Sequence, residues 1–97
     1  MRQFDIVELS DQTFAIVLQA DLLDALESRV IAPLVREPSG IPADRLHPKF
    51  RVGRHDYVLL PERMGGVLKS EIRRVMKSAK EREWDLRRAV DIVFVGI

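Results

Sequence analysis

The first two-thirds of the chain carry short apolar runs separated by turn-forming residues, a spacing that favours β-structure over long helices. Residues 4–9 form an imperfectly alternating strand pattern, and residues 10–12 have the composition of a turn. Residues 13–18 follow as an almost continuous apolar run, which is typical of a strand buried on both faces. The order of strand, polar turn and strand predicts a hairpin at the start of the chain.

Two further segments of the first half are predicted from their apolar residues. Residues 30–35 indicate another strand, in which Pro33 is expected at a sheet edge or a bulge because proline has no amide hydrogen to donate. Residues 21–27 place three leucines on one face of a short helical turn. Prolines and a glycine then predict a loop over residues 37–48, followed by a strand pair over residues 49–53 and 56–60.

The last third of the chain allows two interpretations. Apolar residues recur at helical spacing from Leu68 onward, which by itself predicts one long helix to the end of the sequence. Ser78 and Glu81 instead have the spacing of a capping box, which predicts a new helix over residues 79–95. Gly96 suits the position just after such a helix, where a left-handed residue commonly stands.

Length and composition limit the classes of protein that fit. A chain of 97 residues has room for one domain, residues 1–97, and a domain this small is marginally stable alone, so a dimer is expected. There is no cysteine and hence no disulfide framework or thiol nucleophile. Apolar runs are too short for a membrane span and the first residues do not resemble a signal peptide, so we expect a cytoplasmic protein without membrane association.

Charge is divided unevenly along the sequence. The chain has a net charge of +1, but residues 1–48 carry four basic and eight acidic side chains, and residues 49–97 carry twelve basic and seven acidic ones. A basic second half suits either a solvated surface or an acidic partner. The overall balance is too weak for a dedicated nucleic-acid-binding domain.

Residues with catalytic chemistry are few. His47 and His55 are the only histidines, and neither has a third metal ligand at a convincing spacing. Gly65 and Gly66 are not followed by the lysine of a phosphate-binding loop. We therefore expect no catalytic residues, no metal site and no cofactor. The basic segment over residues 45–55 has a single aromatic residue, which makes it a weak candidate for RNA contact.

The end of the sequence is unusually apolar. Residues 92–97 contain no charged side chain, whereas chain ends are usually polar. Two explanations remain open: the helix end packs on the core of its own domain, or it is an exposed apolar tip that anchors another protein.

Two segments together resemble the CcdB family of toxins. Gln3-Phe4 is followed by residues 18–24 and 29–34, which are similar in order and spacing to the family's QF, VQSDLLD and RLVIPL signatures. At the end, residues 89–97 are similar to the family's terminal AI…FxGI pattern. The resemblance covers essentially the whole chain.

The resemblance implies a mostly β fold with a C-terminal α-helix, an SH3-like barrel of the CcdB/MazF/Kid type assembled as a symmetric dimer. It also implies that residues 67–75 form a strand and not the start of the helix. Family members bind the DNA gyrase A subunit and hold the enzyme on cleaved DNA, so the chain is expected to bind without catalysing a reaction. The family's gyrase-binding positions, expected here to form an apolar patch with a polar rim, fall on Gln3, Phe4, Leu22, Leu23, Asp91, Phe94, Val95, Gly96 and Ile97.

A cognate, CcdA-like antitoxin is also implied, with an acidic disordered tail and with contact to operator DNA made only through the antitoxin. A basic face of Lys69, Arg73, Arg74 and Lys77 suits such a tail, although the resemblance assigns no individual antitoxin contacts.

Two positions depart from the family pattern: Val95 stands where the best-known members have Trp, and Asp91 stands where they have Asn. Two alternatives to gyrase binding follow. One is an endoribonuclease toxin of the MazF or Kid type that uses Arg51, Arg54 and His55. The other is a non-toxic, antitoxin-binding corepressor whose apolar end is only core.

Overall fold

The computed structural model describes residues 1–96, in which seven strands form one antiparallel half-barrel sheet followed by an α-helix. The strands are β1 (Asp5–Leu9), β2 (Phe14–Val17), β3 (Ser28–Arg36), β4 (Lys49–Val52), β5 (His55–Leu59), β6 (Gly65–Leu68) and β7 (Ile72–Ser78), and the helix is α1 (Glu83–Val95). Their order in the sheet is β4-β5-β3-β2-β1-β7, and β6 pairs with the other half of β3. The predicted mostly β fold with a C-terminal helix is confirmed.

The predicted hairpin joins β1 and β2, and both of its strands are buried on two faces. In β2, Ile16 packs into a cluster that includes Leu86 of α1, whereas Ala15 and Val17 pack into a second cluster on the opposite face of the sheet. Successive side chains of a strand point to opposite faces, so a continuous apolar run fills both clusters. The interpretation of residues 13–18 as a strand buried on both faces is confirmed.

Pro33 lies inside β3, the longest strand, and the prediction of an edge or bulge is wrong. On one side β3 pairs with β2, and on the other its neighbour changes from β6 to β5 around this proline. The Pro33 carbonyl accepts a hydrogen bond from the Leu60 amide on that second side at 2.9 Å. In an antiparallel strand the nitrogen and the carbonyl of one residue face the same neighbouring strand. The nitrogen of Pro33 therefore faces the place where β6 ends and β5 begins to pair with β3, so no ladder hydrogen bond is lost there.

The helical turn predicted over residues 21–27 is reduced to one 3-10 turn, Asp21–Leu23, with no buried side chain. The single long helix from Leu68 is also wrong. Residues 65–78 instead form β6, a 3-10 turn at Lys69–Glu71, and β7. The strand implied by the family resemblance is therefore present but interrupted, and β7 pairs with β1 through two register irregularities.

The capping box predicted at Ser78 and Glu81 is absent, because the Ser78 hydroxyl accepts a hydrogen bond from the Lys80 amide at 3.1 Å. A 3-10 turn at Lys80–Arg82 comes first, and α1 starts only at Glu83. The predicted helix end at Val95 is correct, and the next residue, Gly96, is left-handed with φ 82°. Within residues 1–96, no helix combines the length and the apolar character needed to cross a bilayer.

Candidate partner-binding site

The last turn of α1 exposes large apolar side chains. Phe94 is 72% exposed and Val95 is 65% exposed, whereas Leu86 and Ala89 earlier in the helix are fully buried. The helix is therefore fixed to the sheet by its first half, and its end extends beyond the core. Of the two explanations for the apolar end, packing on the domain's own core is wrong for Phe94 and Val95; Ile97 lies outside the described residues.

Ion pairs hold the beginning of α1. The Glu83 carboxylate accepts hydrogen bonds from Lys80 Nζ and from Arg87 Nε, each at 2.8 Å. The bond to Lys80 has the larger effect and the bond to Arg87 the next, and together they hold the pKa of Glu83 below its usual value. Arg82 extends the contact to the sheet, since its guanidinium lies 4.3 Å from the centre of the Phe50 ring.

Phe4 does not belong to an exposed apolar patch, which corrects the expectation from sequence. Its side chain is only 3% exposed, and its ring centre lies 5.5 Å from Lys80 Nζ and 5.8 Å from the Arg87 guanidinium. The backbone at Phe4 is left-handed, with φ 71°, and is held by hydrogen bonds to Val17 and Ala79. A bulky residue rarely adopts this conformation, so the buried ring and the two backbone bonds must offset the strain.

Gln3 connects the start of the chain to the 3-10 turn at Asp21–Leu23. Its backbone amide donates to Asp21 Oδ1 at 2.8 Å, and its side-chain Nε2 donates to the Leu18 carbonyl at 2.9 Å. Arg2 adds an ion pair to Asp21 at 3.1 Å. The side chain of Gln3 is thus used within the fold, where it ties the start of the chain to the end of β2.

The segment over residues 21–27, which we call the leucine loop, carries the second group of exposed apolar side chains. Leu22 is 92% exposed, Leu23 47% and Leu26 50%. Two buried polar residues, Gln19 and Arg29, donate hydrogen bonds to carbonyl groups of this loop. Both lie within the family-like motifs, but neither was predicted to have a role, because their positions between apolar residues give no sign of which backbone groups they bind.

The leucine loop and the end of α1 are two of the exposed apolar groups, and the buried Phe4 connects with the elements that carry both. The leucine loop is joined to Phe4 through Gln3, and the Phe4 ring lies beneath Arg87 of α1. Phe94 is seven residues further along the helix, or about 10 Å at 1.5 Å per residue. Trp84, 79% exposed in the first turn of α1, is a further surface aromatic that the sequence reasoning did not single out.

The family model described as "CcdB protein" matches residues 3–96 of this chain. The chain belongs to the CcdB family. It is therefore a toxin of a toxin–antitoxin system, and the resemblance read from its motifs is confirmed. Among curated proteins, none matches this CcdB-family toxin in sequence.

Solved structures with the same fold include a toxin and an endoribonuclease from mycobacteria. The Mycobacterium tuberculosis toxin MazF-mt6 superposes with a TM-score of 0.76 at 13% identity, covering 96% of each chain. An endoribonuclease from Mycobacterial species, solved in complex with its cognate antitoxin, gives a TM-score of 0.79 at 7% identity, covering 97% of this chain and 94% of that one. At such low identity the likeness shows a shared fold and confirms the predicted barrel type.

The residues named for the endoribonuclease alternative lie around the β4–β5 turn of this CcdB-family toxin. Arg51 Nη2 is 3.4 Å from the Arg54 carbonyl, and Arg51 also pairs with Asp56 at 3.6 Å. The His55 ring nitrogens lie 2.9 and 3.1 Å from Arg36 Nη2. The structure thus brings all three residues together on an exposed turn, and adds Arg36 to them.

The four basic residues expected to face an antitoxin are all exposed, on the 3-10 turn before β7 and on β7 itself. Arg74 is engaged by Glu8 at 2.8 Å. Within residues 1–96 the other three, Lys69, Arg73 and Lys77, form no ion pair. β7 is the last strand on its side of the sheet, so these charges stand along an outer edge.

Proposed function

We propose that this CcdB-family toxin binds the DNA gyrase A subunit through the end of α1 and holds gyrase on cleaved DNA. The observation that carries the proposal is the exposure of Phe94 and Val95, at 72% and 65%, on a helix end that its own core does not use. Isolated exposed apolar side chains are common, but two adjacent ones on a projecting helix turn, in a family of gyrase binders, form a natural anchor.

The proposed action requires differential binding and no bond chemistry by the toxin. A protein that binds the cleaved state of gyrase more tightly than the resealed state shifts the population toward cleaved DNA. Phe94 and Val95 supply apolar area to the contact, and Gly96 turns the chain away from the helix axis through its left-handed conformation. Leu22 and Leu23, 92% and 47% exposed, add a second apolar element.

Val95 and Asp91 set the strength of this contact. Val95 replaces a large aromatic anchor with a small side chain, and losing such an anchor costs about 2 kcal/mol or more of binding. Asp91 is exposed and adds a negative charge to the same helix turn. The gyrase contact of this chain is accordingly expected to be weaker than in relatives that carry Trp and Asn at these positions.

Affinity for purified gyrase A subunit tests the proposal, with two matched variants. Phe94→Ala removes an exposed aromatic from the helix end, and Trp84→Ala removes an equally exposed aromatic from the other end of the same helix. We expect Phe94→Ala to weaken binding at least tenfold and Trp84→Ala to leave it within about twofold, since interface energy is concentrated in a few side chains. Equal losses in both variants contradict an anchor at the helix tip.

We also propose that the toxin is a homodimer neutralised by a cognate antitoxin. A small half-barrel with exposed Leu68 on β6 and Val75 on β7 leaves apolar surface that a second copy would cover. The outer-edge charges Lys69, Arg73 and Lys77 suit an acidic, disordered antitoxin tail.

A second candidate function is RNA cleavage at the β4–β5 turn, favoured by the fold shared with endoribonucleases and by the contact between His55 and Arg36. A groove of about 400 Å³ beside Arg36 contains Phe14 and Tyr57, whose rings pack edge to face at 5.3 Å. Basic and aromatic side chains together are the components of a single-strand RNA site. Cleavage of a labelled RNA by the purified toxin, lost in His55→Ala, would support this function over gyrase binding.

A further inference from the structure

The leucine loop is supported from below by two buried polar side chains. Gln19 is 9% exposed and Arg29 is 2% exposed, yet the loop above them buries no side chain in its 3-10 turn. Among residues 1–96, no buried side-chain nitrogen or oxygen lacks a hydrogen-bond partner. None of the loop's side chains is buried, so its conformation is held chiefly by polar contacts.

Gln19 uses both ends of its amide group. Its Nε2 donates to the Leu23 carbonyl at 3.2 Å and to the Ser28 carbonyl at 3.1 Å. Its Oε1 accepts a hydrogen bond from the Val30 amide at 3.1 Å. One side chain thus fixes the distance between the exposed turn and the first residues of β3.

Arg29 binds the other half of the loop. Its Nη1 donates to the carbonyls of Leu26 at 2.6 Å and Ser28 at 2.9 Å. Its Nη2 donates to the carbonyl and to the carboxylate of Asp24, both at 2.8 Å. The planar guanidinium reaches four acceptors in fixed directions, which a lysine ammonium cannot do from a single nitrogen atom.

Burying a guanidinium is an expensive way to stabilise a protein, because apolar side chains of similar size generally serve as well. What these contacts specifically provide is one defined conformation for a loop that exposes Leu22 and Leu23. A loop already ordered in its binding conformation loses less entropy on association.

We propose that Gln19 and Arg29 are positioning residues for gyrase binding, which fix the leucine loop so that Leu22 and Leu23 meet the gyrase A subunit in one conformation. This inference rests on the proposed function. It assigns the two residues a role in recognition without contact to the partner.

A double-mutant cycle with full-length protein tests the inference. Arg29→Lys keeps the charge and the buried stem but loses the fork of donors, and we expect it to weaken binding of gyrase A roughly tenfold. In a Leu22→Ala background, Arg29→Lys should cost much less, because the side chain that it positions is no longer there. If Arg29→Lys fails to fold, Gln19→Glu replaces it in the test. This variant keeps the oxygen that accepts from the Val30 amide but loses the hydrogen bonds donated to the Leu23 and Ser28 carbonyls.

Val52→Ala is the matched control for a general loss of stability. Val52 is a buried residue of β4 outside the loop, and its truncation lowers stability without touching Gln19 or Arg29. We expect Val52→Ala to keep gyrase affinity. Amide hydrogen exchange should be accelerated in the loop by Arg29→Lys, with sheet amides unchanged, and the loop should be unaffected by Val52→Ala.

The outcomes separate the two proposals. The positioning role is overturned if Arg29→Lys weakens binding equally with and without Leu22, or if Val52→Ala weakens it to the same degree while wild-type binding is intact. Absence of binding by the folded wild-type protein overturns the proposed function itself, and with it any role of these residues in gyrase recognition.

Discussion

Phe4 and Phe94 are the same residue type in opposite environments of this toxin, one in the core and one on the surface. Phe4 is 3% exposed, strained in its backbone and enclosed by Lys80 and Arg87, whereas Phe94 is 72% exposed. Both positions match gyrase-binding positions of the family, yet only Phe94 has a surface to offer. We propose that the motif at Gln3-Phe4 serves binding only through the fold beneath the surface, since Phe4 is buried and Gln3 is hydrogen-bonded within the chain.

Truncating the two phenylalanines should separate stability from binding. Phe4→Ala is expected to lower the free energy of unfolding by about 3–5 kcal/mol, the usual range for a buried aromatic, while Phe94→Ala stays within about 0.5 kcal/mol. Urea denaturation of both variants measures the difference. If the protein with Phe94→Ala were as destabilised as that with Phe4→Ala, the helix end would be part of the core.

Val95→Trp should strengthen the gyrase contact. Val95 is 65% exposed, so a larger side chain has room and restores the aromatic anchor of the best-known family members. We expect affinity for gyrase A to rise about tenfold, on the scale of interface anchors, with little change in the unfolding midpoint. Unchanged affinity would place the contact elsewhere than this helix turn.

Helix α1 carries a local ion network in its first turn, in addition to the packing of Leu86 and Ala89 against the core. Glu83 is held by Lys80 and Arg87, and its pKa is lowered mainly by the Lys80 bond and then by that to Arg87. Since the folded pKa lies below the unfolded value of 4.5, this contribution to stability is complete above that pH and is lost as the pH falls through the folded pKa.

Glu83→Gln is therefore expected to lower the unfolding temperature at pH 7 and to flatten its decline below pH 4.5, where the wild type loses the ionised carboxylate. Thermal unfolding of both proteins between pH 7 and pH 3 measures the effect. Parallel curves over this range would show that Glu83 does not anchor the helix.

The sequence was sufficient to predict those elements whose apolar pattern is compatible with only one type of secondary structure. The doubly buried β2 and the helix end at Val95 followed from local pattern, since continuous apolar runs and a trailing glycine have few alternatives. Local pattern did not predict the split of residues 65–78 into two strands, because strand pairing depends on residues distant in sequence. It did not predict the contacts of Gln19 and Arg29 for the same reason. The family motif predicts Phe4 in an exposed patch, but a motif gives the identity of a residue and not its burial, and Phe4 is 3% exposed.

The whole molecule shares its fold with a solved toxin and a solved endoribonuclease at 13% and 7% identity while belonging to the CcdB family. A shared barrel does not fix function, which resides in the side chains that the barrel presents. Here the helix end presents exposed apolar side chains and the β4–β5 turn presents basic ones, on one small scaffold.

Assembly is expected to be dimeric. Sedimentation at micromolar concentration should give twice the 11.2 kDa of one chain, because a domain of this size gains stability by covering its exposed apolar strands. A purely monomeric, stable protein at those concentrations would contradict the proposed homodimer.

Plasmid cleavage with purified gyrase, ATP and this toxin is the most direct test of gyrase poisoning. We predict that linear, protein-linked DNA accumulates with toxin dose, and that Phe94→Ala reduces it while Trp84→Ala does not. No linear product from a protein shown to be folded and dimeric would contradict the account, and would mean that the CcdB-family fold acts on another target.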